Sequence, residues 1–189
     1  MHLLLVDNYD SFTYNLFQLL SEAGCSHIDV IKNDVVSLAK VRNYSKIVFS
    51  PGPGVPLDVP ILHQIIEEYQ QTKSILGVCL GHQAIGEFYG ASLQNIAKPF
   101  HGIASKLHIS DKNESLFQDI HEDFMVGRYH SWVVSGNDFP DCLHITSKTE
   151  DGTIMSIAHK RYDVKGIQFH PESYITQSGM RMMRNWLLL

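Results

Sequence analysis

Short apolar runs that alternate with helical stripes most limit how this chain can fold. The runs end in turn-forming residues, which is typical of strands buried on both faces, and they lie at residues 2–6, 28–31, 46–49 and 75–78. Between them, apolar residues recur three and four positions apart, which predicts helices at about 16–23, 62–69 and 79–89. Strands that alternate with helices predict an α/β fold with an open, mainly parallel sheet flanked by helices.

The second half of the chain has a different pattern. Short strand-like segments separated by turn residues lie at 105–110, 124–134, 143–148, 154–159 and 164–169. We expect them to add an antiparallel region to the sheet, with the chain returning to the parallel part near residues 166–169. An apolar stripe at Met180, Met183 and Leu187 predicts a closing helix. Because no repeat or linker interrupts these patterns, we expect a single domain over residues 1–189.

Charge and composition argue against several classes of protein. The net charge is −5 and no Lys/Arg cluster is present, which argues against nucleic acid or an anionic membrane as a partner. The apolar run at residues 2–6 has no basic region before it, so it indicates a strand rather than a signal peptide. No apolar run is long enough to span a bilayer. Three widely spaced cysteines suit a reducing compartment, so we expect a cytoplasmic protein.

Cys79 lies where a predicted strand meets a predicted helix, within Gly77-Val78-Cys79-Leu80-Gly81. Glycine on each side is typical of a sharp strand-to-helix turn that exposes a nucleophile. The helix N-terminus favours a thiolate, and the N–H of Leu80 is expected to face a developing oxyanion. A buried structural cysteine is the alternative for an isolated Cys, and we assign Cys25 and Cys142 to that class. The setting of Cys79 favours a nucleophile.

The tripeptide His170-Pro171-Glu172 follows the last predicted strand and offers a base for that nucleophile. Pro171 disfavours helical geometry at His170, and alternate residues of an extended segment point to one side, so Glu172 can orient His170. A surface turn is the alternative for these three residues alone. We interpret His82 as a packing residue or as a residue that supports the site residues from behind, since an elbow nucleophile takes its base from another loop. The histidines have no close metal-ligand spacing, so no metal site is expected.

A rigid loop, Ser50-Pro51-Gly52-Pro53-Gly54, follows the third predicted strand. The prolines fix its course, and the glycines let the backbone approach a ligand closely. Ligands of open α/β sheets bind beyond the carboxyl ends of the strands, where this loop, Cys79 and residues 7–11 are all predicted to lie. A stiff surface turn is the alternative, but this position favours a role in binding a ligand or an oxyanion.

Five segments, in this order and spacing, resemble one known family. They are DNYDSFTYN, SPGPG, GVCLGHQ, RYHSWVV and GIQFHPES, and the resemblance runs from residue 3 to about residue 173. The chain is similar to class I (triad-type) glutamine amidotransferases, and within them to the small subunits of anthranilate synthase and aminodeoxychorismate synthase. The resemblance implies the fold of that family and a Cys-His-Glu triad formed by Cys79, His170 and Glu172.

The resemblance also implies which residues bind L-glutamine and its oxyanion. These are Gly52, Pro53, Gly54, Leu80, Gln83, Ser131 and Trp132. The family more often has Leu at the position of Trp132, a change expected to matter little if the contact is made by the backbone. It also more often has Lys at the position of Ile103, a change expected to affect local contacts near that residue but not the chemistry.

The implied activity is hydrolysis of glutamine through a glutamyl thioester, with release of glutamate and ammonia. A chain of 189 residues is too short to include a chorismate-using synthase as well. The resemblance therefore implies a chorismate-binding partner subunit, in a heterodimer or higher assembly, that makes aminodeoxychorismate for folate, anthranilate for tryptophan, or both. We favour the folate role. No cofactor is expected in this chain, and the partner synthase is expected to depend on Mg²⁺.

The residues alone leave two other functions open. A Cys-dependent hydrolase of similar α/β fold would need Cys79 and a histidine, but it would give no reason for the loop at 50–54 or for the HSWV segment. A non-catalytic regulatory module often lacks a member of the triad, and all three residues are present here. We therefore rank both below a glutaminase.

Overall fold

A computed structural model describes residues 1–120 and 123–189. In chain order its elements are β1 (Leu3–Asp7), α1 (Thr13–Glu22), β2 (Ile28–Lys32), α2 (Leu38–Val41), β3 (Lys46–Phe49), α3 (Pro60–Tyr69), β4 (Ser74–Val78), α4 (Leu80–Phe88), β5 (Leu93–Asn95), β6 (Ile103–Ile109), β7 (Phe124–Arg128), β8 (Trp132–Val134), β9 (Leu143–Thr149), β10 (Ile154–His159), β11 (Val164–Ile167) and α5 (Gly179–Leu188). Short 3₁₀ helices lie at Pro56–Asp58 and Ser115–Phe117. Among these residues, none of the helices has the length and apolar character that crossing a bilayer requires.

One nine-stranded sheet forms the centre of the protein, in the order β2-β1-β3-β4-β11-β10-β9-β6-β7. The first five of these strands pair in parallel. The remaining strands continue the sheet in antiparallel pairs. This topology confirms the predicted parallel sheet with an antiparallel addition, and β11 is the strand through which the chain returns to the parallel part.

Both faces of the parallel region are buried, as the continuous apolar runs predict. Along β1, Leu4 and Val6 belong to one apolar cluster, whereas Leu3 and Leu5 belong to the other. Side chains of a strand alternate between the two faces of a sheet, so a strand covered on both sides needs apolar residues at every position. Helices α3 and α4 contribute to the first cluster, and α1 and α5 contribute to the second.

The turn before α1 is stabilised by acidic side chains of the preceding loop, Asp7 and Asp10. The helix begins at Thr13, and a carboxylate oxygen of Asp10 accepts a hydrogen bond from the N–H of Phe12 at 2.8 Å. Asp7 accepts a hydrogen bond from the Thr13 hydroxyl at 2.8 Å. These acidic side chains therefore stabilise residues 8–12 as a compact loop and leave no side-chain bond at the helix cap itself.

The predicted strand at 124–134 is in fact two strands that belong to different sheets. β7 ends at Arg128, and β8 begins at Trp132 and pairs with β5 outside the main sheet. Between them, the carbonyls of His130 and Ser131 accept hydrogen bonds from the N–H groups of Phe100 and Ile96. Periodicity could not locate this break, because the bonds that cause it come from a distant segment.

Trp186 of α5 offers a test of how the second apolar cluster stabilises the fold. Its side chain is fully buried, and its carbonyl accepts a hydrogen bond from the ammonium group of the buried Lys46 at 2.9 Å. We expect Trp186→Ala to lower the free energy of unfolding by about 3–5 kcal/mol, since a large cavity replaces the indole. Leu188→Ala, on the exposed side of the same helix, is the control and should change it by less than about 0.5 kcal/mol. Urea denaturation measures both, and equal losses would contradict this packing.

Candidate active site

Cys79 lies on a sharp turn between β4 and α4. Its φ of 52° and ψ of −100° are unusual for a residue with a side chain. The turn is tight enough that a Cβ on Gly77 would lie 2.3 Å from the carbonyl carbon of Gly81. A Cβ on Gly81 would lie 2.6 Å from the Cβ of Phe49 on the neighbouring strand. Close packing therefore requires glycine at both positions. The strained Cys79 is the N-cap residue of α4.

His170 is joined to Glu172 by a short hydrogen bond. Nδ1 of His170 lies 2.6 Å from a carboxylate oxygen of Glu172, and both side chains are buried. The backbone of His170 is fixed as well, because its N–H donates to the carbonyl of Gly127 and its carbonyl accepts from the hydroxyl of Thr176. The Nε2 atom is buried without a hydrogen-bond partner among the described residues, so it is available to exchange a proton with a reacting group.

The surroundings of His170 favour its protonated form. Burial alone lowers the pKa of the imidazole, but the nearby Cys79 sulfur and the hydrogen-bonded Glu172 carboxylate outweigh burial and raise the pKa to about 10. The rings of Phe12 and Tyr129 pack against the imidazole at centroid distances of 5.5 and 4.8 Å. A protonated imidazole beside the sulfur is the arrangement that stabilises a thiolate nucleophile.

A small cavity of about 170 Å³ opens beside Cys79. It is below the usual size of a pocket for a drug-sized ligand, so it suits a single small molecule. Its walls contain all the predicted glutamine-binding residues except Leu80, together with Cys79 and two residues that had no predicted role. They are formed by Gly52, Pro53, Gly54, Cys79, Gln83, Tyr129, His130, Ser131 and Trp132. Leu80 lies next to this wall, because a Cβ on Gly52 would be 2.7 Å from its side chain.

Two glutamine side chains connect the cavity wall to the sulfur of Cys79. The amide nitrogen of Gln83 donates to the carbonyl of Trp132 at 2.9 Å and to the side-chain oxygen of Gln168 at 3.2 Å. The amide nitrogen of Gln168 in turn lies 3.5 Å from the Cys79 sulfur. Trp132 thus contacts Gln83 through its backbone carbonyl.

Arg128 and His130 form the buried support of the same wall. The guanidinium group of Arg128 donates to Nε2 of His130 at 3.2 Å and to the carboxylate of Asp151 at 2.8 Å, and it lies over the ring of Phe100. Burial, and then the charge of Arg128, lower the pKa of His130 to about 3. His130 is therefore neutral, and its Nε2 is the acceptor of the pair.

The other predicted residues lie apart from the cavity. His82 is fully buried in α4 and packs against Gly166 of β11, where burial lowers its pKa to about 4. Ile103 is about half exposed, which places this departure from the family pattern at the surface. Within residues 1–120 and 123–189, no group of three or more His, Cys, Asp or Glu side chains is arranged to hold a metal ion.

Sequence reasoning assigned no role to Gln168, Tyr129, His130 or Arg128, although each lies within a quoted motif. Gln168 was detectable in principle, because it precedes His170 by two residues on an extended segment and so faces the same side. The role of Arg128 was not detectable from the sequence, because its partner Asp151 lies on a separate hairpin. Together the elbow, the His170–Glu172 pair and the adjoining cavity can support attack by a thiolate on a small acyl compound.

Comparison with known proteins identifies related chains over almost the whole length. The family model for glutamine amidotransferase class-I matches residues 4–189. Aminodeoxychorismate synthase component 2 of Klebsiella aerogenes is 40% identical and covers 98% of both chains. Anthranilate synthase component 2 of Pseudomonas putida is also 40% identical, over 99% of this chain and 96% of its own. A crystal structure of a glutamine amidotransferase from Thermotoga maritima shares the fold, with a TM-score of 0.76 at 16% identity over 99% of this chain and 96% of its own.

Proposed function

The chain belongs to the class I glutamine amidotransferase family, and from that membership we propose that it is the glutaminase subunit of a chorismate-using synthase. In this proposal Cys79, His170 and Glu172 hydrolyse glutamine, and the ammonia passes to a separate synthase subunit. The observation that carries the proposal is the elbow of Cys79 beside the His170–Glu172 pair, with a cavity of about 170 Å³ at the sulfur.

The proposed reaction begins with attack of the Cys79 thiolate on the side-chain carbonyl carbon of glutamine. The developing oxyanion is stabilised by backbone N–H groups of Gly52 or Gly54, in the loop that Pro53 makes rigid, and of Leu80. As the C–N bond breaks, Nε2 of His170 donates its proton and ammonia leaves. His170 then takes a proton from water, which attacks the thioester and releases glutamate. Glu172 holds the imidazole through Nδ1, so that Nε2 faces the reacting atoms.

The ammonia acceptor is proposed to be a chorismate-binding subunit. The relatives are named as second components of two different synthases, and each is 40% identical to this chain. Equal identity supports aminodeoxychorismate and anthranilate synthesis alike, so we propose a synthase partner of this class without choosing one pathway. Identification of the large subunit that copurifies with the chain would decide between them. The cytoplasmic location and the lack of a cofactor in this chain stay predictions.

The loop at residues 8–12 is the proposed route by which the partner controls the site. Asn8 is buried and its amide donates to the carbonyl of Ser50, the first residue of the SPGPG loop, at 2.8 Å. Phe12 packs against His170. Tyr9 is half exposed, and its hydroxyl donates to Asp34 at 2.7 Å. One surface loop therefore contacts both the proposed oxyanion loop and the proposed base, so docking on Tyr9 can complete the site.

The nucleophile is tested by Cys79→Ala in the assembled synthase. Glutamine-dependent product formation should fall by more than about 10³-fold, because no other group can form the thioester. Synthesis from added ammonium salts should continue, because the partner's chemistry is untouched. Cys25→Ala and Cys142→Ala are the matched controls and should stay close to wild type. Retained glutamine-dependent turnover in Cys79→Ala would eliminate this assignment.

The base is tested by comparing three substitutions in the same assay. His170→Ala should lose nearly as much glutaminase activity as Cys79→Ala, because the two residues act as one unit. Glu172→Ala should retain about tenfold to a hundredfold more activity than His170→Ala, since an imidazole without its carboxylate can still transfer a proton. His82→Ala serves as the comparison, with circular dichroism to check folding. A greater loss in folded His82→Ala than in His170→Ala would mean that the base has been misidentified.

Coupling to the partner is tested by measuring glutamate release under three conditions. The chain alone should hydrolyse glutamine slowly, the complex with its chorismate-binding subunit faster, and the complex with chorismate fastest. The reason is that docking shifts the loop at 8–12 towards the conformers that complete the site. Tyr9→Ala should reduce the stimulation, whereas Tyr14→Ala on the exposed face of α1 is the control. Equal rates in all three conditions would rule out coupling and indicate a free-standing glutaminase.

A further inference from the structure

Gln168 lies at the end of β11 with a fully buried side chain and contacts the sulfur of Cys79. Its amide nitrogen is 3.5 Å from the sulfur, an ordinary distance for an N–H···S hydrogen bond. Its backbone is fixed by a hydrogen bond from its N–H to the carbonyl of Met155 at 2.8 Å. The proposed reaction requires a nucleophile, a base and an orienting carboxylate, and it assigns no role to Gln168.

The direction of the Gln168 amide is set by a chain of hydrogen bonds. The carbonyl of Trp132 can only accept, so Gln83 must present its NH₂ group there. The same NH₂ group lies 3.2 Å from the side-chain oxygen of Gln168, which is therefore the acceptor. With its oxygen committed to Gln83, Gln168 has only its NH₂ group to direct at the sulfur. The sulfur thus faces a fixed donor, which stabilises a thiolate more than a thiol.

We infer that Gln168 is a further catalytic residue, a donor that stabilises the thiolate of Cys79, and that Gln83 is the positioning residue that fixes its orientation. This inference deepens the proposed function, on which its relevance to glutamine hydrolysis rests. It assigns Gln83 a task besides contact with the substrate. It also explains why the polar Gln168 lies in a fully buried position, where an unpaired amide would be costly.

The other titratable groups near the sulfur are few. His170 with Glu172 lies on the segment after β11, and His82 lies on α4. Tyr129 and His130 lie in the cavity wall, and Arg128 is bonded to His130. Burial keeps the pKa of His82 near 4, and burial together with Arg128 keeps that of His130 near 3, so neither changes charge between pH 5 and pH 9. A change in sulfur reactivity within that range is therefore not caused by a change of charge on His82 or His130.

The test measures the rate of alkylation of Cys79 by iodoacetamide as a function of pH. The 189-residue chain carries Cys25→Ser and Cys142→Ser, so that a single thiol is present. In Gln168→Met the midpoint of the rate profile should move up by about one pH unit, the size expected for loss of a hydrogen bond to a charged group. In Gln168→Glu, of nearly the same shape, the carboxylate faces the sulfur and the midpoint should move further. Gln83→Met should cause a smaller upward shift, because the Gln168 amide is then free to rotate.

Thermal denaturation accompanies each profile, and Gln168→Glu keeps the test decisive if Gln168→Met does not fold. An unchanged midpoint in a folded Gln168 variant would overturn the inference, even if glutamine turnover falls, because a purely structural role lowers activity without moving the profile. Alkylation requires neither glutamine nor a partner. Failure of the inference is therefore distinguishable from failure of the proposed function, which would appear as an assembled wild-type complex that does not hydrolyse glutamine.

Discussion

The parallel pairing of β4 with β11 is the contact on which the rest of the site depends. Val78 lies opposite Ile167, and the N–H of Cys79 donates to the Ile167 carbonyl at 2.8 Å. This register places Gln168, which is 89 residues away in sequence, directly beside the sulfur. Both strands also end at the same edge of the sheet, so the chain that leaves β11 passes the start of α4 with His170 and Glu172. A shift of one residue would turn these side chains to the other face.

The positive φ of Cys79 stores strain that the surrounding packing holds in place. A non-glycine residue in such a conformation costs about 1–3 kcal/mol. The turn persists because Gly81 fits against Phe49 of β3 and Gly77 fits against Gly81, leaving the backbone no room to relax. This strain lowers the free energy of unfolding and does not add to the reaction barrier, because the sulfur is held at the helix N-terminus before any substrate binds. The site is in this sense pre-organised by the core beneath it.

The sequence predicts the fold further than it predicts the contacts within the site. Apolar periodicity gives β3 at its observed bounds, Lys46–Phe49, because a strand buried on both faces has a pattern that depends on its own residues. The two-residue spacing of His170 and Glu172 likewise predicts that they lie on one side, as they do. The Arg128 cluster is different, since Asp151 and Phe100 reach it from separate segments. Contacts of that kind depend on the tertiary register, which no local pattern contains.

Three buried histidines lie in the active site or in the helix that follows Cys79, and the neighbours of each decide whether it carries charge. Burial lowers the pKa of all three, and it leaves His82 near 4. The pKa of His130 is lowered further by Arg128, whose guanidinium group donates a hydrogen bond to Nε2, the atom that a second proton would occupy. Only His170 has a carboxylate within hydrogen-bond distance and the sulfur beside it, and its pKa rises to about 10. Of the three imidazoles, only that of His170 is therefore positively charged, and it holds a proton next to the sulfur. The imidazole of His130, in the cavity wall, is uncharged.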